Sequence, residues 1–451
     1  MRFLARCLAL LTLLAFTAQP AMAQSVLRDA ETEAVLQDMA APLVAAAGLQ
    51  PGNVEVVLIN DPSINAFVAG GQVVYLHSGL IDAADNANEV QGVIAHELGH
   101  ITGGHVIRSA DSYRAATNIT ILSLLLGVAA VAAGATDAGL AAMMAGQQAA
   151  LGKFLAFSRA QESSADAAGA EYLSKAGISG RGSLEFFGKL LNQEFRYGRS
   201  QSAEAEFFRT HPLSSDRINR LREVYTVDPA WETPDDPELE TRFARIKAKL
   251  YGYLAEPAFV LRAYPKTRQD IPARYSRAYA YHRDAQVEKA LAEVDGLLAS
   301  VPDDPYFLEL KGQILLESGR AGEAIPALRE ATERTGNHPL IATIFGHALI
   351  ATEDEANYAE AEKVLKAAVS RDRWMPFAWY QLGVVYAARG DMARARLATA
   401  EQQAMNRQWF LALSSAQIAE AGLPEGSPDW LRAQDIRMQA QAELEAERER
   451  G

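Results

Sequence analysis

Cysteine is nearly missing from this chain: of 451 residues only Cys7 carries a thiol. It lies in an N-terminal stretch with Arg2 and Arg6, an apolar run over Leu8–Phe16, and small residues at Ala21 and Ala23. That order predicts a secretory leader over 1–23, cut between Ala23 and Gln24. No cysteine stands at the cut to take a lipid, and the chain beyond it, lacking any thiol, can form no disulfide. The leader's apolar core is too short to span a bilayer, so it reads as a cleavable signal rather than an anchor. A cleavable signal without a stop-transfer segment predicts a periplasmic protein.

Basic residues are also in short supply. Lys and Arg number 43 against 56 Asp and Glu, a net charge of −13, and loss of Arg2 and Arg6 makes the balance more acidic. Nucleic-acid phosphates need clustered cations, so nucleic acid is excluded as a partner. Long apolar runs are few. One, Ile119–Ala135, sits at the bottom of the roughly 17–25-residue spanning range. A milder run follows to Leu155 and contains Gln147, Gln148 and Lys153. Rich in Ala and Gly, 119–155 is expected to form a helical hairpin over the domain core, with peripheral contact to a membrane or a partner. A spanning helix is the competing expectation.

Histidine is scarce too, at 8 residues, yet His96-Glu97-Leu98-Gly99-His100 places two of them four apart. Apolar residues at Val90, Val93, Ile94, Leu98 and Ile101 predict a helix, on which both imidazoles share one face and can share one metal ion. Zinc suits imidazole and carboxylate donors, and Glu97 stands where a carboxylate can take a proton from the attacking water. A third ligand must come from elsewhere. The pattern that adds a His ten residues after the first fails, because position 106 is Val106 and His105 comes one residue early. The alternative is a downstream helix over Ser158–Asp166, where Glu162 and Asp166 share a face. One carboxylate can bind the metal while the other accepts the free N–H of a ligand histidine.

Three motifs in order, His96–His100, Ser158-Arg159-x-x-Glu162-x-x-Ala165-Asp166 and Thr210-His211-Pro212-x-x-x-x-Arg217, give the region from Val54 to Leu221 a family resemblance. It resembles the HtpX/BepA-like gluzincins, which include the prenyl-protein peptidases. The resemblance implies a zinc metalloendopeptidase with His96, His100 and Glu162 as ligands, Glu97 as general base and Asp166 as partner to a ligand histidine. For His211 two roles stand open: a donor to the oxyanion, or a zinc ligand that displaces the catalytic water, which the resemblance favours. Arg217 is expected to position a carboxylate or a substrate carbonyl. Upstream, Asn65–Ala69, a Gly70-Gly71 turn and the β-branched Val73–Leu76 predict a hairpin. By resemblance it forms a sheet edge beside the zinc, able to hold an extended substrate by strand addition. The other histidines, His77, His105, His282, His338 and His347, read as structural.

A Pro/Asp-rich stretch, 228–237, marks a boundary. Beyond it the sequence repeats. Ala278, Gly312, Gly346 and Gly383 are spaced 34, 34 and 37, and Ala290, Ala324, Ala361 and Ala395 are spaced 34, 37 and 34. Both series absorb one insertion near 353–357, and Trp379-x-x-Leu382-Gly383-x-x-Tyr386 carries the tetratricopeptide signature. The expected fold is therefore mainly α: an α+β zincin-type peptidase domain with a small edge-strand sheet (24–227), linker helices (228–270) and an α-solenoid of tetratricopeptide repeats (271–451). Such a solenoid is a docking surface for proteins. The resemblance implies unfolded or misassembled outer-membrane proteins as substrates and their assembly machinery as the repeats' partner. A largely non-catalytic chaperone for the same proteins is the alternative.

Overall fold

The computed structural model describes residues 25–105, 108, 117, 119–125, 136–197, 211 and 213–450. The expected leader lies outside them, as do Thr210, Pro212 and 126–135. The described residues form two compact units, one within Met1–Leu27 and Gln37–Asp235, the other within Arg28–Leu36 and Asp236–Gly451.

The first unit holds a four-stranded sheet in the order β1-β2-β4-β3, from Ser25–Leu27 (β1), Glu55–Asn60 (β2), Ala66–Ala69 (β3) and Val73–His77 (β4). β2 and β4 are parallel, while β3 closes back on β4 as an antiparallel hairpin. Gly70 and Gly71 make its turn at φ +63° and +104°, values that side chains with a Cβ resist. Because His77 N–H donates to the Asn65 carbonyl, the next pair, Ala66 and Leu76, is not hydrogen-bonded. Ala66 therefore turns its N–H and C=O outward along the free edge of β3.

Helices Ala30–Ala46 (α1), Ser78–Ala83 (α2), Ala87–Thr102 (α3), Thr136–Ala176 (α4), Arg181–Tyr197 (α5) and Ser215–Tyr225 (α6) complete the N-terminal half of the chain. α3 begins at Asn86, whose side chain accepts from Glu89 N–H, and it is buried from Ala87 to His100. The stretch 119–125 is helical and packs Ser123 against Gly146 of α4, leaving Leu122 and Leu125 exposed. Among the described residues no helix is long and apolar enough to cross a membrane.

The second unit is a helical array. Pro237–Leu254 (α7) and Pro257–Ala263 (α8), in the stretch expected to link the two parts, pack with Ile271–Arg283 (α9). Paired helices follow: Val287–Ser300 (α10), Pro305–Glu317 (α11), Ala321–Arg334 (α12), Pro339–Ala351 (α13), Tyr358–Arg371 (α14), Pro376–Ala388 (α15) and Met392–Met405 (α16). Trp409–Gly422 (α17) and Pro428–Arg450 (α18) end it. Proline opens the first helix of the joints at 305, 339 and 376, where its missing N–H costs nothing. The phased small residues sit where helices touch: Ala278, Ala290, Ala324 and Ala361 are fully buried. The insertion is a 3-10 turn at Glu355–Asn357.

This unit also buries charge. Lys249 pairs with Asp29 and Glu31, Arg245 with Glu31 and Asp304, and Tyr275 donates to Glu31 (2.7 Å). Beside them Glu309 is buried, and burial, only partly offset by Lys249, pushes its carboxyl up to about 8. The folded protein then keeps a proton that the unfolded chain releases near pH 4.5. Stability from this group is full below that pH and is lost as pH rises towards 8, on the order of a few kcal/mol. Glu309→Gln is expected to flatten the fall, read as urea midpoints of wild type and variant at pH 5 and 8. Parallel pH dependence in both would refute the assignment.

Candidate metal centre

α3 and α4 cross so closely that no side chain fits between them at two points. A Cβ on Gly99 would lie 2.6 Å from the Ala165 carbonyl oxygen, and one on Gly169 would lie 3.1 Å from the Ala95 backbone. That contact brings the α4 carboxylates Glu162 and Asp166 against the histidines of α3. His96 Nε2 lies 3.1 Å from His100 Nε2 and 3.4 Å from Glu162 Oε2, and His100 Nε2 lies 3.3 Å from Glu162 Oε1. His211, just ahead of α6, adds Nδ1 at 3.3 Å from both His96 Nε2 and Glu162. The four donor atoms all fall within 4.8 Å of one another, on buried residues.

Each ring is held by its other nitrogen. His96 Nδ1 is 3.1 Å from Asp166 Oδ1, at ion-pair distance though not aligned for a full hydrogen bond. His100 Nδ1 meets His105 Nδ1 at 2.9 Å, and His105 Nε2 meets Ser164 Oγ at 2.9 Å. His211 donates Nε2–H to the Ala66 carbonyl of β3 (3.2 Å), which leaves Nδ1 as the nitrogen with the lone pair. Arg217 grips Asp166 through Nε (2.8 Å) and Nη2 (2.7 Å) and reaches Glu162 with Nη1 at 3.0 Å. Its backbone N–H caps on Ser214, which fixes the start of α6.

The donor set fits a dication. Metal–nitrogen bonds of about 2.0–2.1 Å in a tetrahedron set donors about 3.3 Å apart, the spacing found here. Buried protons are a poor substitute. Burial works against charging His96, but Asp166 and Glu162 override it and raise the ring to about 10. His100 is lowered, chiefly by burial, with His96 and His211 also opposing its charge. Glu162, despite burial, is held far below the ordinary carboxylate range by His211, His100 and His96. The rings oppose one another's charge, so protons cannot fill the cluster, whereas a single metal ion would supply its positive charge at once. Glu97 gives an independent sign: among the described residues both its buried oxygens lack a hydrogen-bond partner, and Oε1 lies 3.5 Å from His211 Nε2.

The structure thus brings His96, His100, Glu162, His211, Glu97, Asp166 and Arg217 into one site. Arg217 spans the two α4 carboxylates. His105, read from sequence as structural, belongs to the site as the support of His100. Its signal was the histidine one residue early for a ligand, on a chain that reverses at Gly103-Gly104.

A His-Glu-x-x-His helix facing a glutamate of a second helix defines a zinc metallopeptidase domain of the gluzincin class. Comparison with known proteins gives the particular family: residues 27–225 match Peptidase family M48, and 273–339 and 353–406 match the tetratricopeptide repeat. Residues 27–225 are thus an M48-type peptidase domain, and tetratricopeptide-type repeats follow them. It is 26% identical over 384 residues to the beta-barrel assembly-enhancing protease of Yersinia pestis, covering 83% of this chain and 76% of that one. The protein of that name from Escherichia coli K12 is 26% identical over 381 residues, covering 82% and 75%. A Vibrio cholerae relative is 30% identical, and the match spans 59% of its length. Metalloprotease LoiP of Escherichia coli K12 is 31% identical over 184 residues, 40% of this chain and 65% of that protein.

Proposed function

We propose that this chain is a periplasmic zinc endopeptidase that degrades misfolded or stalled outer-membrane proteins, its repeats docking it to their assembly machinery. The observation that carries the reading is the four-donor cluster with the unpartnered Glu97 carboxylate beside it. The predicted leader and the likeness to beta-barrel assembly-enhancing proteases support the compartment and the clients.

His96, His100 and Glu162 would hold zinc, which when bound supplies Lewis-acid polarisation of the scissile carbonyl and a lowered pKa for water. Glu97 accepts the proton of the attacking water and passes it to the leaving amine. Asp166 orients His96, His105 orients His100, and Arg217 holds both α4 carboxylates in place. An extended substrate pairs with the outward N–H and C=O groups of β3, a mode that reads backbone rather than side chains.

His211 would then be a fourth donor to the zinc, competing with the catalytic water. The same ring occupies the Ala66 carbonyl, an edge acceptor that an added strand would use. Substrate pairing and the seated histidine therefore compete for one oxygen, so strand addition itself loosens the plug. A largely non-catalytic chaperone is the second reading, favoured by the same observation that His211 completes the donor set.

The deciding experiment is casein degradation by the mature protein, wild type against His211→Ala, with and without a zinc chelator. His211→Ala is expected to be faster by about tenfold, a differential affinity of about 1.4 kcal/mol for the seated ring, and chelation should stop both. Equal slow rates would remove the plug and keep the enzyme. No chelator-sensitive cleavage in either protein would favour the chaperone.

A further inference from the structure

His96 and His100 offer the same ring nitrogen, Nε2, to the donor cluster, but what stands behind the two rings differs. Behind His96 is a carboxylate, Asp166, which Arg217 grips in turn. Behind His100 the contacts run on through a second ring and a hydroxyl. His100 Nδ1 meets His105 Nδ1 at 2.9 Å, His105 Nε2 meets Ser164 Oγ at 2.9 Å, and Ser164 Oγ lies 3.0 Å from the Gln161 carbonyl oxygen.

The far end of this row settles where each proton sits. A carbonyl only accepts, so Ser164 donates its single O–H to Gln161. The Ser164 oxygen then accepts from His105 Nε2–H. A neutral imidazole carries one N–H, so His105 Nδ1 keeps a lone pair and accepts from His100 Nδ1–H. His100 Nε2 is left as the lone-pair nitrogen, 3.1 Å from His96 Nε2 and 3.3 Å from Glu162. In the reversed order Ser164 donates to His105 and His105 to His100. That order gives up the bond to Gln161 and puts a proton on His100 Nε2, where a metal ligand needs its lone pair. The first order makes one more hydrogen bond and leaves the ligand ready.

The surroundings hold the row in register. Gln161 Nε2 donates to the His105 main-chain carbonyl at 3.2 Å, so one turn of α4 holds His105 by both its backbone and its ring. The ring lies against Gly103, where a Cβ would collide with it. Ser164 itself is exposed and is not one of the four donors. We propose that Ser164 is a positioning residue of the metal centre. Its hydroxyl, anchored on the Gln161 carbonyl, fixes the proton order through His105 so that His100 presents its Nε2 lone pair. The inference rests on the zinc reading of the site and needs no turnover. It assigns a role in metal binding to a side chain that reaches the metal only through two rings.

The test is zinc affinity of the full chain, by competition with a chromophoric chelator, with ring tautomers read by NMR on isotope-labelled histidine. Ser164→Ala should bind zinc about tenfold more weakly. Ser164→Thr, whose Oγ1 can reach the same carbonyl, should stay within about twofold of wild type. Ala is the better helix former at this exposed position, so the metal-free melt of Ser164→Ala should not fall. In the zinc-loaded wild type His105 should carry its proton on Nε2, its signal assigned by loss in His105→Leu. The Ser164→Ala penalty should vanish in the His105→Leu background, since the hydroxyl acts through that ring. Equal zinc affinity of wild type and Ser164→Ala overturns the proposal and leaves the metal centre standing. So does a His105 proton on Nδ1, or a Ser164→Ala penalty that adds in full to that of His105→Leu. A wild-type chain that binds no zinc overturns the centre and the proposal together.

Discussion

Glu97→Gln is expected to lower turnover of an unfolded protein substrate by about a thousandfold while zinc content stays at one ion per chain. The amide keeps the size and shape of the carboxylate but has no oxygen basic enough to accept the water proton. Among the described residues neither Glu97 oxygen makes a hydrogen bond, so the substitution breaks no hydrogen bond of the resting site. Substrate held along β3 should be unaffected, which predicts a fall in kcat with KM nearly constant. His96→Ala should behave differently, losing the metal and with it both activity and stability of the unit. The check is steady-state kinetics paired with metal analysis on the same preparations. A Glu97→Gln protein that keeps wild-type turnover would assign the proton transfer to another group.

Much of this site was readable in the chain because its parts are local. The cap at Asn86, the apolar spacing from Val90 to Ile101 and the four-residue interval of His96 and His100 all act within a single helix. Glu162 and Asp166 follow the same logic on α4. What escaped depends on long-range or backbone geometry. His105 reaches His100 only because the chain turns back after α3, with Gly104 at φ +61°, a reversal that no periodicity encodes. The Ala66 carbonyl that His211 occupies is a main-chain atom whose outward direction follows from strand register, not residue type. Arg217 was expected to position a carboxylate, but that it crosses to α4 and clamps two acids at once is a long-range contact that spacing does not encode. The repeat phase was legible for the opposite reason: every helix pair needs a small residue at the crossing, so the same requirement recurs along the chain. The buried ion cluster left no such trace, since Glu31 and Lys249 stand 218 residues apart.

Gly99→Ala tests the crossing that builds the metal site, and its expected sign runs against helix propensity. In an uncrowded helix interior, replacing Gly by Ala stabilises by up to about 1 kcal/mol. Gly188 of α5, where an added Cβ meets nothing within 4 Å, should show that gain. At Gly99 the new methyl would sit 2.6 Å from the Ala165 carbonyl oxygen and 2.8 Å from Ala165 Cα. Both neighbours are backbone of α4, so no side chain can rotate aside. α4 must retreat, and Ala165 lies between Glu162 and Asp166, so both carboxylates retreat with it. Overpacking of this kind costs about 1–3 kcal/mol. Metal–ligand distances tolerate only about 0.2 Å, so the displacement should weaken zinc binding by about a hundredfold even where the protein still folds. Competition with a chromophoric chelator gives the affinity, and thermal melts with and without zinc give the stability. The Gly99 variant should lose on both measures while the Gly188 variant gains on the second. If both variants were stabilised with unchanged zinc affinity, the two helices would have slack at their crossing. The carboxylates would then be placed by Arg217 alone.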